Sequence, residues 1–356
     1  MASRDLAGRV VFIAQDFMLT DVLDDVAGRL ASRGATVIRG PASLPGQKVV
    51  FPSERWAEWF GQAEVAMFSS RNICTREMIA AAPRLIGIVN PTIGLETVDL
   101  EAADEFGVIV GHGAIPENFV GVAEATVMLM LMLLYNPQAS QQVLAGTRPR
   151  PRSSPHESWG NMLRGRTVGF IGMGRIARSV AERLHSWGAR MLSVDPYVSQ
   201  DKAPAGVEMS DLRTVISRSD ILGLYVSITA ETRNLLDRER LSWMKPDAYL
   251  VNTSRGEAVD EAALYEALRD GRLAGAALDT FQVEPLPADS PLRTLENVIL
   301  TPHMVGHNRE MFAAFAVAGE ENIGKILHGN LPAFCKNPHL ETRWRSRLDA
   351  LLPTRG

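Results

Sequence analysis

Two doubly wound α/β units, one inserted into the other, are the fold this sequence predicts. Three observations predict it. Short apolar runs alternate with helical patterns from the N-terminus, and the same alternation restarts at Thr167. The residues that follow the second series suffice only to complete the first unit. Alternating strands and helices imply mostly parallel sheets with helices on both faces.

In the first series, Val10–Ala14 reads as a strand and Asp21–Arg33 as a helix closed by Gly34. Thr36–Arg39, Val65–Phe68, Leu85–Val89 and Val108–Val110 read as further strands, with helices over Ser53–Gly61 and Thr75–Ala82. The apolar stretch Val122–Tyr135 holds Glu124 and falls short of the about 20 residues a membrane span needs, so a buried helix is expected. Pro149-Arg150-Pro151-Arg152-Ser153-Ser154-Pro155 excludes regular structure and reads as an exposed connecting arm. Its two arginines, without aromatics, are too few for a nucleic-acid patch. The second series gives strands at Thr167–Ile171, Arg190–Val194, Ile221–Val226, Tyr249–Asn252, Gly275–Asp279 and Val298–Leu300. Arg309 to His328 then has helical spacing and ends at Gly329. The expected division is residues 1–118 with 309–356 as the outer unit and 119–308 as the insert.

The 356 residues are 46% hydrophobic and 22% charged, with a net charge of −4. Such a chain has ordinary cores and no broad basic field for nucleic acid or anionic membrane. Arg4 and Asp5 precede only the short run Val10–Ala14, so no secretory leader is expected and the setting reads as cytoplasmic. Cys74 and Cys335 form no metal or redox motif and read as free thiols.

Chemistry concentrates in the second series. Gly172-Met173-Gly174-Arg175-Ile176-Ala177 runs from the strand Thr167–Ile171 into a helix over Arg175–Trp187, the context a dinucleotide site requires. Gly172 permits the tight turn, Gly174 lets backbone approach a pyrophosphate, and Ala177 allows close helix–strand packing. The first backbone N–H groups, at Arg175 and Ile176, face the phosphates. Asp195 ends the next strand, where a carboxylate accepts from ribose hydroxyls and repels a 2′-phosphate, so NAD is expected rather than NADP.

Arg255, Glu284 and His303 lie on three loops, each beyond a predicted strand. A 2-oxo acid asks a site to neutralise its carboxylate and polarise its carbonyl, and a guanidinium suits both. Imidazole accepts the hydroxyl proton in oxidation and imidazolium returns it in reduction. Glu284 is expected to bond the other ring nitrogen and favour the protonated form. Asp279 is expected near the nicotinamide.

These residues strongly resemble the D-isomer-specific 2-hydroxyacid dehydrogenase family. The resemblance covers nearly the whole chain and rests on residues 169–177, 251–256, 277–285 and 297–303, in that order. It implies a Rossmann-like cofactor domain inserted into a discontinuous, flavodoxin-like substrate domain, and Arg255, Glu284 and His303 as the catalytic set. It places Asp195 and Asp279 on the cofactor, and implies a homodimer through the cofactor domain with a small 2-hydroxy or 2-oxo acid as substrate. The chain departs from the pattern where a glycine-x-glycine usually cradles the substrate carboxylate: it has Thr92-Ile93-Gly94, leaving Ile93 and Gly94 as the carboxylate contacts. A β-branched Thr92 restricts the backbone there. Gly111-His112-Gly113 also differs from the commoner pattern, so an unusual substrate is expected. Arg71 falls where members acting on phosphorylated or dicarboxylic acids carry a second cation, which points to an anionic tail. Two alternatives stand: a cofactor-sensing scaffold like the related corepressors, and an enzyme like phosphoglycerate dehydrogenase, whose C-terminal regulatory domain is not expected here.

Overall fold

Among the described residues every strand runs parallel to its neighbours, and the hydrophobic patterning shows why: central strands such as Gly87–Asn90 and Ile221–Leu224 are buried on both faces. The computed structural model describes residues 5–44, 47–152 and 160–351. Ser153, Ser154 and Pro155 of the expected arm lie outside them. The described chain packs as two compact units, one built from residues up to Asn118 together with those from Asn308 onward, the other from Phe119 to His307.

In chain order, the first unit supplies β1 (Val10–Ile13), α1 (Thr20–Ser32), β2 (Thr36–Arg39), α2 (Trp56–Phe60) and β3 (Val65–Met67). It continues with α3 (Arg76–Ala80), β4 (Gly87–Asn90), α4 (Leu100–Phe106) and β5 (Ile109–His112). Helix α5 (Pro116–Tyr135) leads into the second unit, which holds α6 (Pro137–Leu144), β6 (Thr167–Ile171), α7 (Arg175–His185), β7 (Arg190–Val194), β8 (Val207–Met209) and α8 (Leu212–Arg218). There follow β9 (Ile221–Leu224), α9 (Arg238–Leu241), β10 (Tyr249–Asn252), α10 (Glu261–Arg269), β11 (Gly275–Leu278) and β12 (Val298–Leu300). The chain then returns to the first unit as α11 (Arg309–Leu327) and α12 (Glu341–Leu351).

The first unit's sheet has the order β2-β1-β3-β4-β5. Its strands split their side chains between two cores with period 2. Val11 and Ile13 face α1, α11 and α12 with Leu23, Phe315, Ile323 and Trp344. Phe12 faces the other side, among Phe51, Trp59, Phe60 and Phe68. The second unit's sheet is β12-β11-β10-β9-β6-β7-β8. Strand order reverses between β6 and β9, the point at which open α/β sheets bind ligands outside their carboxyl ends.

Two expectations need correction. The apolar helix is not fourteen residues long: it starts at Pro116 and runs twenty residues, long and apolar enough to cross a membrane by length and composition. Pro116 begins it because a proline at the first helical position loses no helical hydrogen bond. Ala123, Val127, Met130 and Leu134 pack it against Val168, Phe170 and Val180 of its own unit. Strand β8 was not foreseen, since Val207-Glu208-Met209 is too short to show a period. Both cysteines are free; Cys74 is buried and Cys335 half-buried. Burial pushes the Cys74 thiol up to about 12, which leaves it inert at neutral pH.

Trp344 is fully buried and donates from Nε1 to the Ile86 carbonyl at 2.8 Å. It ties α12 to the sheet of the first unit. Trp344→Ala is expected to destabilise the protein by about 3–5 kcal/mol. Urea unfolding followed by far-UV circular dichroism checks this; a loss under ~1 kcal/mol would mean α12 contributes little to that core.

Candidate active site

The glycine-rich turn leaves β6 at Gly172, whose φ of +92° is open to glycine and strained for other residues. A Cβ there would also lie 2.6 Å from the Tyr225 carbonyl. Helix α7 follows with Gly174 as its N-cap and no side-chain cap. A Cβ added at Gly174 would meet nothing within 4 Å, so the backbone is open at that face of the turn. Uncapped N–H groups with that open approach fit a pyrophosphate. Asp195, just past β7, accepts from the Met173 N–H at 2.8 Å and the Tyr197 N–H at 2.9 Å. It therefore braces the turn from the side where a ribose would lie, and each of its oxygens retains a lone pair. The predicted Gly172, Gly174, Arg175, Ile176 and Asp195 come together at the carboxyl edge of β6 and β7, and they fit a dinucleotide.

Three more loops leave the same edge of the same sheet. After β10, the buried Asn252 accepts through Oδ1 from the Ser254 N–H (3.0 Å) and hydroxyl (2.9 Å), and donates from Nδ2 to the Arg255 carbonyl (2.9 Å). The Arg255 guanidinium donates to the Ser254 carbonyl at 2.8 Å. Gly256 next to it lies so close to the Phe281 backbone that a Cβ would not fit, which presses the Arg255 loop against the loop carrying Glu284. There the Glu284 carboxylate accepts from the Phe281 N–H at 3.1 Å and meets His303 Nδ1 at 2.8 Å.

His303 has φ +55°, a left-handed conformation that costs a non-glycine residue about 1–3 kcal/mol unless its surroundings hold it. The holder is Asp279. Its Oδ1 accepts from the Thr301 hydroxyl (2.7 Å), the Met304 N–H (3.0 Å) and the Val305 N–H (3.2 Å), bracketing His303 on both sides. Burial raises the Asp279 carboxyl above its ordinary value, although these donors and the His303 charge oppose the rise. Glu284 goes the other way. Burial pushes it up, but the hydrogen bond and charge of His303, the Phe281 N–H and the Arg255 charge together hold it below the usual value. Two carboxylates on one loop thus differ in environment: one holds backbone, the other faces a ring.

The remaining candidates belong to the first unit. Arg71 lies 3.6 Å from the buried Asp16 carboxylate, and its own backbone N–H donates to Ser69 Oγ. Ile93 and Gly94 lie in the loop after β4, where the Gly94 carbonyl accepts from Asn90 Nδ2 at 3.1 Å.

The profile of the D-isomer-specific 2-hydroxyacid dehydrogenase NAD-binding domain matches residues 126–305. A D-3-phosphoglycerate dehydrogenase of Methanocaldococcus jannaschii is 38% identical over 281 residues, which cover 78% of this chain and 52% of that one. A glyoxylate reductase of Thermofilum pendens is 36% identical over 261 residues, 72% of this chain and 76% of the reductase. The chain belongs to the D-isomer-specific 2-hydroxyacid dehydrogenase family. Its fold agrees: a crystal structure of a Thermus thermophilus protein superposes with a TM-score of 0.77 at 30% identity, over 92% of this chain and 99% of that one. The chain spans about half the length of the phosphoglycerate dehydrogenase and three-quarters of the reductase. As a member it carries the family's NAD-binding domain, which makes NAD its cofactor.

Sequence reading named Asp279 for the cofactor alone and passed over its grip on the His303 loop. It also passed over Thr301 and Asn252. The available signal was an Asn or Asp at the last strand position or just beyond it, where such side chains bond nearby backbone. Asp279→Ala removes the acceptor for Met304 and Val305. Hydrogen bonds to a charged group contribute roughly 1.5–3 kcal/mol, so amide exchange at these two residues is expected to accelerate about tenfold or more. Unchanged exchange there would show that something else holds the loop.

Proposed function

We propose that the protein interconverts a D-2-hydroxy acid and its 2-oxo acid, with His303 as the general acid and base. The observation that carries this reading is the His303–Glu284 contact of 2.8 Å on loops adjoining that of Arg255. NAD(H), when bound, supplies or accepts the hydride; Gly172, Gly174, Arg175, Ile176 and Asp195 would hold it. Arg255 pairs with the substrate carboxylate and polarises the carbonyl, because its fork donates in two directions and stays charged at any working pH. His303 gives its proton to the carbonyl oxygen in reduction and takes it back in oxidation. Glu284 receives the other ring N–H, so it fixes the tautomer and supports the positive ring. The first unit is the substrate domain in this reading, with the Ile93 and Gly94 N–H groups on the carboxylate and Arg71 on an anionic tail.

The scaffold alternative is not favoured, since the relatives are enzymes by name. We further infer a homodimer through the cofactor domain, supported by the exposed Met128, Tyr135, Leu144 and Met162 on and after α5 and α6. A cytoplasmic setting goes with this reading.

His303→Gln keeps the ring's approximate shape without its proton chemistry. It is expected to lower kcat by about 10²–10⁴-fold in NADH oxidation at 340 nm with a panel of 2-oxo acids; near-normal turnover would remove His303 from the mechanism. The pH profile tests Glu284. A carboxylate held below its ordinary value stays ionised as pH falls through the usual carboxylate range, so its support of the ring is lost only below that range. Glu284→Gln takes the charge away at every pH and is expected to move the alkaline limb of the reduction profile to lower pH. An unmoved limb would leave Glu284 with no electrostatic role.

Asp195→Asn removes the repulsion that a 2′-phosphate would meet. Like charges ~4 Å apart near a protein surface repel by about 4 kcal/mol, so the preference for NADH over NADPH is expected to narrow at least about tenfold. Fluorescence titration of both cofactors measures it, and an unchanged ratio would assign cofactor choice to other residues.

A further inference from the structure

The same side-chain clamp occurs in both units. In the second unit it is Asn252, the last residue of β10, which folds the loop carrying Arg255. In the first it is Asn90, the last residue of β4. Asn90 Oδ1 accepts from the Thr92 N–H at 2.9 Å and the Thr92 hydroxyl at 2.8 Å, and Nδ2 donates to the Gly94 carbonyl at 3.1 Å. Asn252 treats Ser254 and Arg255 in the same manner. Both asparagines are buried. The sheets place them alike as well. The order β1-β3-β4-β5 in one matches β6-β9-β10-β11 in the other, so β4 and β10 are each the second strand past the first strand of their unit.

The clamp has a consequence for donors. In the loop after β4, the Thr92 N–H is taken by Asn90 and the Thr92 carbonyl by the Gly113 N–H at 3.0 Å. Nothing among the described residues accepts from the N–H groups of Ile93 and Gly94, and both residues are half-exposed. A loop held from inside by Asn90 and from outside by Gly113 therefore leaves two consecutive backbone donors uncommitted. Consecutive N–H groups in a turn favour an anion.

We propose that Asn90 is a positioning residue for substrate: through the Thr92 hydroxyl and the Gly94 carbonyl, it fixes the loop that presents the Ile93 and Gly94 N–H groups to the substrate carboxylate. This rests on the proposed 2-oxo acid chemistry. It also gives Thr92 a purpose. A hydroxyl at this position completes the clamp, so the loop is built by side-chain hydrogen bonds where backbone freedom is small.

The test compares wild type with Asn90→Ala, Thr92→Val and Thr92→Ser, using glyoxylate with NADH and oxalate as a dead-end ligand titrated by calorimetry. Asn90→Ala is expected to raise KM for glyoxylate and Kd for oxalate about tenfold or more, with kcat changed less and KM for NADH unchanged. Thr92→Val, which keeps shape and loses the hydroxyl, is expected to shift in the same direction, and Thr92→Ser to restore near wild-type values. Should Asn90→Ala fail to fold, the valine–serine pair decides alone. Unchanged oxalate affinity in Asn90→Ala, equal effects of valine and serine, or a parallel loss of NADH affinity would overturn the proposal. If wild type reduces none of the 2-oxo acids, the proposed function fails separately. The oxalate titration still decides, because wild type that does not bind oxalate, or Asn90→Ala that binds it as tightly, overturns the positioning role.

Discussion

The register of three parallel strands decides where the chemistry of this protein lies. Asn252 of β10 pairs with Leu278 of β11, and Leu278 pairs with Leu300 of β12. The three strands therefore end level, and the loops beyond them start side by side with Arg255, Asp279 and Thr301 within their first few residues. A slip of one residue in any pair would turn its side chains to the opposite face and displace its loop. That slip is opposed by burial, since Leu250 and Leu278 face one core and Val251 and Ala277 the other. Hydrophobic patterning thus specifies a polar site, although none of the residues that enforce the register carries a charge.

Within that frame, the two carboxylates divide the work by environment. Asp279 is buried with donors from backbone and a hydroxyl, and burial raises its carboxyl above the ordinary value while it anchors the left-handed turn at His303. Glu284 has the ring and the Arg255 charge before it and is the more readily ionised of the pair. Environments that push two carboxyls apart allow neighbouring groups to serve different ends at one pH. Here one end is geometry and the other is charge. The left-handed His303 has both of its flanks tied to the same carboxylate.

Much of this was legible in the sequence. The glycine turn could be placed because strand and helix flank it, and the loops of Arg255, Glu284 and His303 because each follows a short apolar run. Periodicity reported the long α1, α7 and α11. It does not report α4, α8 or α9, which have seven residues or fewer and take their stability from tertiary packing; the equally short α2 and α3 are legible only through the prolines beside them, Pro52 and Pro83. The start of α5 is hard to see in the sequence because Glu117, Asn118 and Gly121 interrupt the apolar residues before Val122, whereas the helix is started by Pro116. Thr92 was read as a restriction because its branching is visible in one dimension and its hydrogen bond to Asn90 is not. Side chains that act on their own loop leave no period and no distant partner by which sequence could find them.

Arg71 shows the same limit from the opposite side. As a residue it reads as an unspent cation; in the fold its charge lies 3.6 Å from the buried Asp16, which also accepts from the Met18 N–H and holds Ser69. A guanidinium has five N–H donors, and with 34% of its side chain exposed Arg71 keeps some of them for solvent or ligand. Yet a neighbouring carboxylate cancels part of the field that an anionic tail would feel. Under the proposed role of Arg71, recognition depends less on net charge than on whether a ligand presents oxygens where the fork, aimed by Asp16, can meet them. A planar carboxylate or a tetrahedral phosphate or sulfonate would then be distinguished by shape. The buried partner that weakens the attraction is the same one that gives the arginine a direction.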